Sequence, residues 1–581
     1  MATLLAQSET SAASGSETQK PAPLFVWIFP ALGVLSLIAS CVLWSLKRHL
    51  WGDEVFSWIE LRDPSLPHLL PAVMRVGGGG MPLFYLTAWP WAHVFGFSDL
   101  SLRLYSCASV CGAFLLLASA LRRRFSAPAA FLGTAFGLFA SLIVVEQNSE
   151  ARGYGLFLLL SAAAIAQLLR VAETPNPRRR DLLLLALSQA ALVLGHVLGL
   201  IDAGLLLAAL IASDAVEKRF RWRVYACAMA GWLALVPWIP AIRASAAVGR
   251  PHGWIPVPSF GDLASSFSFW LFTGLYWQLP HLPTAVLLAG WFCAVLIMIV
   301  LAASGCLALA GASGVKRPVY CAGFALIAAP LVFYAVSVTI TPIFLPRYLI
   351  ASALGVAILA AAWLDRSLAR HARTGKGIAV PLLGVVVLAL PIATALLAHP
   401  QQLDVARVDS LAGGRPIVCD SQKDFLVMTR YTAHPGTPQY VLDWPAALAG
   451  PPGTTADIRL MQNYRREGYL PGQLPDPAQL LGQPSFLVLT NQDASWFRIA
   501  VQNNPRFTWK TIAEVDASRR LVLVRQKQQQ PGYLRPVQPS DKASEATGCG
   551  SGAVRMATRY HTSHATAGHR KSFDSRPTMK A

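Results

Sequence analysis

"WGDEVFSWIELRD" (Trp51–Asp63) follows the first long apolar run of the chain, and two carboxylates, Asp53 and Glu54, stand side by side in it. Charge inside a bilayer costs about 2.5–3.5 kcal/mol per residue on insertion scales, so a pair this close to a span is either solvated or functional. Adjacent carboxylates also repel, which raises the pKa of one unless a cation or hydrogen-bond donors hold them. The same pair suits the first turn of a helix, where acids meet unpaired N–H groups and the positive end of the dipole. The choice depends on which side of the membrane the pair faces and on what else gathers there.

Composition settles the membrane. Of 581 residues, 54% are hydrophobic and only 14% charged, far below the charge of a soluble domain. Apolar segments long enough to cross occur at about 24–46, 102–121, 128–147, 155–171, 181–199, 200–213, 224–240, 284–306, 319–340, 348–364 and 378–397, which makes about 11 helices. The boundary around Gly195–Val197 is short, and His196 and Asp202 beside it are expected at the surface. Nine cysteines are scattered without a CxxC, so they read as small core residues rather than a disulfide or metal framework.

The net charge of +19 sits mostly in short clusters between apolar runs: "LRRRF" (121–125), "NPRRR" (176–180), "EKRFRWR" (217–223), "VKRP" (315–318) and "DRSLARHARTGK" (365–376). All fall on one side, which therefore reads as cytoplasmic, and nucleic-acid binding is excluded as the source of the charge. Lys47 and Arg48 are the local exception, flanking the first span on the opposite side. "MPLFYLTAWPWAHVFGF" (81–97), with Pro82, Pro90 and its aromatics, reads as an interfacial or re-entrant helix at the outer face.

The segments divide the chain into a disordered cytoplasmic start (1–22), a membrane domain (23–398), an extracytoplasmic α/β domain (399–530) and a disordered tail (531–581). In the third part "RPIVCD", "QYVLD", "SFLVLTN" and "RRLVLVRQ" read as strands, with helices at "QKDFLVMTRYTA" and "DASWFRIAVQN". The tail carries Cys549, His561, His564 and His569.

With this topology, polar groups collect at the outer ends of spans. Asp53 and Glu54 follow the first. "VVEQNSEARGYGLF" places Glu146 and Glu150 four apart, on one helix face if the helix continues that far, with Arg152 and Tyr154 next. "TPIFLPRYLI" brings Arg347 and Tyr348 to the start of a late helix, and the long outer loop holds Arg243, Arg250, His252, Trp254, Trp270 and Trp277.

In this order the pieces resemble the GT-C class of polyprenyl-phosphate-sugar glycosyltransferases. Within that class the chain resembles the bacterial family-39 type, related to protein O-mannosyltransferases, the lipid A aminoarabinose transferases and the RgtA/B/C/D-like domain. The resemblance rests on the acidic pair Asp53–Glu54, "MPLFYLTAWPWAHVFGFSDLSLRLYS", "NSEARGY" and Arg347–Tyr348, and covers roughly residues 24–400. It implies a GT-C membrane fold of about 11 helices, and many such proteins carry a small outer α/β domain. It also implies a polyprenyl-phosphate sugar donor, a glycan, lipid or protein acceptor, and a site facing outward from the inner membrane.

A phosphate leaving group needs no strong general acid; it needs a base on the acceptor and positive charge on the departing phosphate. On this expectation Asp53 is the base, with Glu54 orienting it or helping to hold a cation. Glu150 is the second acid, and Arg347 grips the donor phosphate with Arg152 and Tyr348 beside it. A divalent cation would lie on Asp53 and Glu150. The family commonly has an acid or imidazole before its prolines, where this chain has "GGGGMP" (77–82), which puts the cation in doubt. Two other classes stay open: a transporter or flippase of lipid-linked intermediates, and an inactive scaffold.

Overall fold

The computed structural model describes residues 23–527 apart from 77–80, 252, 268–282, 313, 372–378, 401, 451–452 and 492–495. The expectations for the first 22 residues, Gly77–Gly80, His252, Trp270, Trp277, Cys549 and the tail histidines lie outside these. All eleven apolar segments are helical. Among the described residues eight helices are long and apolar enough to cross a membrane, and nine if Ala127–Phe139 and Leu142–Asn148, bent by 80° at their junction, count as one span. The remaining two are the 17-residue Arg179–Gly195 and a shorter apolar helix within Ala379–Leu397. Pro82–Phe95 has 14 residues, about 21 Å at 1.5 Å per residue, too short to span the hydrocarbon core.

Small residues set the tightest helix contact. Gly133 and Gly137, four apart on Ala127–Phe139, face Ala361 and Ala357 on Ser352–His371, and a Cβ on Gly137 would stand 2.5 Å from the Ala357 Cα. Apolar attraction between helices is weak in lipid, so close backbone approach through such glycines supplies packing instead. The contact matters for the site. One of these helices leads into the bend before Glu150, and the other follows Arg347.

Helix ends sort by charge. Arg124 pairs with Glu173, Arg317 with Glu217 at 3.6 Å, and Lys316 with Asp365 at 3.6 Å, so four of the basic stretches and their acids meet at one end of the bundle. Lys47 and Arg48 lie at the other end, and structure explains the exception. Lys47 Nζ donates to the carbonyls of Ala395 (2.9 Å) and Leu396 (2.5 Å), capping the negative end of Ala379–Leu397. Arg48 belongs to the site.

The segment after 400 forms a mixed sheet in the order β2-β1-β3-β5-β4, with β1 (Ile417–Cys419) parallel to β2 (Pro438–Gln439) and β3 (Ser485–Asn491). The remaining strands, β4 (Phe507–Glu514) and β5 (Arg519–Gln526), run antiparallel. Both expected helices are present, as Gln422–Tyr431 and Trp496–Gln502. Five elements were not expected: β4, the Thr454–Arg466 helix and the short helices Val405–Ala412, Trp444–Leu448 and Pro477–Leu481. This sheet layer docks on the acidic end of the bundle through Arg430–Asp99 (3.0 Å), Tyr431 Oη with the Leu50 N–H (2.6 Å) and Tyr469 Oη with Asp63 (2.9 Å). Residues to Lys527 thus make one compact unit. The eight described cysteines are unpaired.

Candidate functional site

The quoted stretch folds as the helix Gly52–Leu61, and its two acids take opposite roles. Glu54 is fully buried and receives Arg103 through Nε (2.9 Å) and Nη2 (2.8 Å), a bidentate fork. It also accepts from the Ala151 N–H (2.8 Å) and, reaching back one turn, from the Trp51 N–H (3.2 Å), with Arg48 at 3.7 Å. Burial alone would raise its carboxyl, but Arg103 and Arg48, with these hydrogen bonds, hold it below the usual value. Arg103 in turn donates to the carbonyls of Arg48 (2.8 Å) and His49 (2.9 Å), fixing the turn that leads into the helix. Every oxygen of Glu54 is engaged in holding structure.

Asp53, one residue earlier, points the other way. Its carboxylate stays 28% exposed and lies 3.4 Å from Arg347 Nη1, itself 22% exposed. Arg347 rides on a short 3₁₀ turn, Pro346–Leu349, after two closely spaced prolines. Aromatic rings surround its guanidinium: Trp254 at 5.5 Å, Tyr348 at 5.8 Å, and Trp51 and Tyr154 at 5.9 Å. His196 extends this wall, 5.2 Å from the Tyr348 ring and 5.8 Å from Tyr154. It is buried, as is Asp202, so the expectation of a surface position for both is overturned; the short loop turns inward against the aromatic cluster.

The second acidic stretch bends where a continuous helix was expected. The helix ends at Asn148, and Ser149–Gly153 form a turn, so Glu146 and Glu150 do not share a helix face. The turn lets Glu150 face inward, where it accepts from Gln147 Nε2 (2.9 Å) and meets Arg48 at 3.8 Å. Burial raises the Glu150 carboxyl; Arg48 and Arg347 pull against this and Glu54 adds to it. Arg152 lies beneath Asp53, donating to its backbone carbonyl (3.0 Å) and to Ser57 Oγ (3.2 Å).

The fold therefore gathers Arg152, Tyr348 and Tyr154 around Asp53 and Arg347, whose partial exposure is the opening to solvent here, and sets Glu54 and Glu150 behind them. Arg48 and Arg103 were missed as site residues: Arg48 read as a topology flank, and Arg103 lay inside "LRLYS" with no role attached. Arg103 is wholly buried, and a buried arginine needs a buried acid such as Glu54 to offset its desolvation. The expected divalent cation does not fit this donor set. Among the described residues no three His, Cys, Asp or Glu side chains converge, Asp53 faces a guanidinium, and Glu150 faces another.

Spans, bent pair, the charged cluster at one end of the bundle and the sheet layer together define a polytopic membrane protein of the GT-C fold. Within that class the chain is similar to ArnT from Cupriavidus metallidurans. The apo crystal structure matches with TM-score 0.54 and 16% identity over 84% of this chain and 97% of that one. The structure bound to undecaprenyl phosphate matches with TM-score 0.53 and 16% identity over 86% and 98%. At this identity the likeness is one of fold. No protein-family model and no curated protein sequence matches the chain significantly.

Proposed function

We propose that this protein is a membrane glycosyltransferase that moves a sugar from a polyprenyl-phosphate-linked donor to an acceptor hydroxyl of a cell-envelope glycan, lipid or protein. The observation that carries the reading is the Asp53–Arg347 pair at 3.4 Å. Both members of this pair are partly exposed, so an incoming molecule can reach them, while Glu54, Arg103 and Glu150 are buried and Arg152 is engaged with the Asp53 carbonyl and Ser57. Undecaprenyl phosphate bound in the similar ArnT structure supports a polyprenyl phosphate as the ligand class.

In this mechanism the guanidinium of Arg347 turns from Asp53 to the donor phosphate as the donor enters, which frees the carboxylate. The acceptor oxygen attacks the anomeric carbon; its proton passes to Asp53, and the carbon–oxygen bond to phosphate breaks, the phosphate leaving with the electron pair. Positive charge developing on the sugar ring is met by Asp53, and negative charge on the phosphate by Arg347. Arg152 holds the Asp53 backbone, and Glu54, through Arg103 and Ala151, fixes the turn on either side. Glu150, buried behind the pair against Arg48, is the second acid in this reading. The basic end of the bundle faces the cytoplasm in this reading, so the site opens outward from the inner membrane.

The test is incubation of the purified protein with a panel of polyprenyl-phosphate sugars, with release of polyprenyl phosphate and transfer followed by mass spectrometry. Asp53→Asn is expected to lower turnover 10²–10⁴-fold, roughly the contribution of a positioned base, while the variant purifies and melts like the parent. Full turnover in that variant removes the assignment. Turnover is expected to survive EDTA; loss that a divalent cation restores would return a metal to the site.

A further inference from the structure

The sheet layer brings two charged groups over the opening that the mechanism above does not use. Lys423, on Gln422–Tyr431, packs against the residue next to Asp53: a Cβ on Gly52 would touch its Cγ at 3.5 Å and its Cα at 3.7 Å. Its neighbour Gln422 donates through Nε2 to the carbonyl of Asp457 at 3.3 Å, tying this helix to the first turn of Thr454–Arg466. Immediately before that turn, Gly453 lies against Trp254, 3.5 Å from its Cβ to a Cβ built on the glycine, and Trp254 is one wall of the Arg347 cage. Lys423 and Asp457 therefore flank the same opening as Asp53 and Arg347.

Neither the Lys423 ammonium nor the Asp457 carboxylate has an ion pair or hydrogen bond among the described residues, although Lys423 is exposed and Asp457 half-buried. Burial pushes the Asp457 carboxyl up to about 7; Lys423 pulls against this, and the charge of Asp53 adds to it. These groups thus lie within one another's field.

Charge balance says what Lys423 is for. Empty, the opening holds one guanidinium against one carboxylate. A phosphodiester donor adds one negative charge, and the leaving phosphate carries close to two. The other nearby cations are engaged: Arg152 with Asp53 and Ser57, Arg103 with Glu54, Arg48 with Glu54 and Glu150. We propose that Lys423 is a second ligand of the donor phosphate, so that the C-terminal domain completes the active site by setting an ammonium opposite Arg347, with Asp457 steering it when the site is empty. This rests on the donor reading above.

The experiment titrates undecaprenyl phosphate into the full chain in nanodiscs and reads the fluorescence of the site tryptophans. Lys423→Met is expected to weaken binding tenfold or more, Lys423→Arg to stay within threefold of the parent, and all to melt alike because the side chain is exposed. Binding by Lys423→Met within twofold of the parent overturns the inference and leaves the donor reading standing. A parent protein that neither binds undecaprenyl phosphate nor turns over any polyprenyl-phosphate sugar overturns both.

Discussion

The two ends of the helical bundle both carry ion pairs, and they are built differently. At the basic end each pair keeps an exposed partner or is local: Lys316 is 45% exposed beside Asp365, the buried Arg124 meets a Glu173 that is 25% exposed, Arg317 and Glu217 are both partly exposed, and the largely buried Arg221 forks onto Asp214 only seven residues away. At the site end Arg103 and Glu54 are both wholly buried and 49 residues apart. Charge that orients a membrane protein needs only to be present on the correct side. Charge that builds a site must be held in one place, and long-range buried pairing is what holds it.

The largest break in this comparison comes from Arg103→Met. It leaves the Glu54 carboxylate buried without its main partner, which typically costs about 3–5 kcal/mol. The variant should melt far below the parent or fail to elute as a single species on size exclusion. Replacing Glu54 with Leu in the same chain should recover most of the loss, since an apolar pair of similar volume is often neutral or better. An Arg103→Met protein that melts with the parent would show that the fork does not hold this end.

How much of this was legible follows the same division. Spans, the outer-end acids and Arg347 show in the sequence because each breaks an apolar pattern locally. β4 does not show: it is the sheet's edge, mostly exposed, so "FTWKTIAE" carries little alternation. The Thr454–Arg466 helix hides its core face, Ile458, Met461 and Tyr464 at spacing three, among polar residues. Glu150 showed in the sequence as a candidate acid but not as a turn residue, because the bend after Phe139 depends on packing. Arg48 acquires its meaning only when the Glu150 turn folds against it, and Lys423 and Asp457 only when segments hundreds of residues from Asp53 dock.

A middle-sized effect tests that docking. Glu60 is buried and accepts from Tyr85 Oη (2.6 Å) on the membrane side and from Tyr464 Oη (2.5 Å) on the sheet layer. Tyr464→Phe leaves one buried oxygen without its donor and should cost about 1–3 kcal/mol. Burial raises the Glu60 carboxyl above its ordinary value, and the two tyrosines with Arg152 recover only part of this. Such a group binds its proton more tightly folded than unfolded, so its stabilising contribution is complete at pH below the unfolded value and is lost as pH rises through the folded one. Glu60→Gln should flatten that slope in melting temperature against pH; an unchanged slope would assign it to another group.

The smallest effect sharpens the contrast most. Lys316 opens the helix Lys316–Ile327, where a cation opposes the dipole, and its ion pair with Asp365 is largely exposed. Exposed pairs contribute about 0–1 kcal/mol, and the unfavourable dipole places this one near the bottom of that range. Lys316→Ala should therefore shift the melting temperature little, and high salt, which shortens the screening length to about 3 Å at 1 M, should erase what shift there is. The Arg103→Met loss should persist in the same salt, because water and ions do not reach a pair that is wholly buried. Equal salt sensitivity at the two ends would mean that both ends carry charge of one kind, and the distinction between orienting and building would fall.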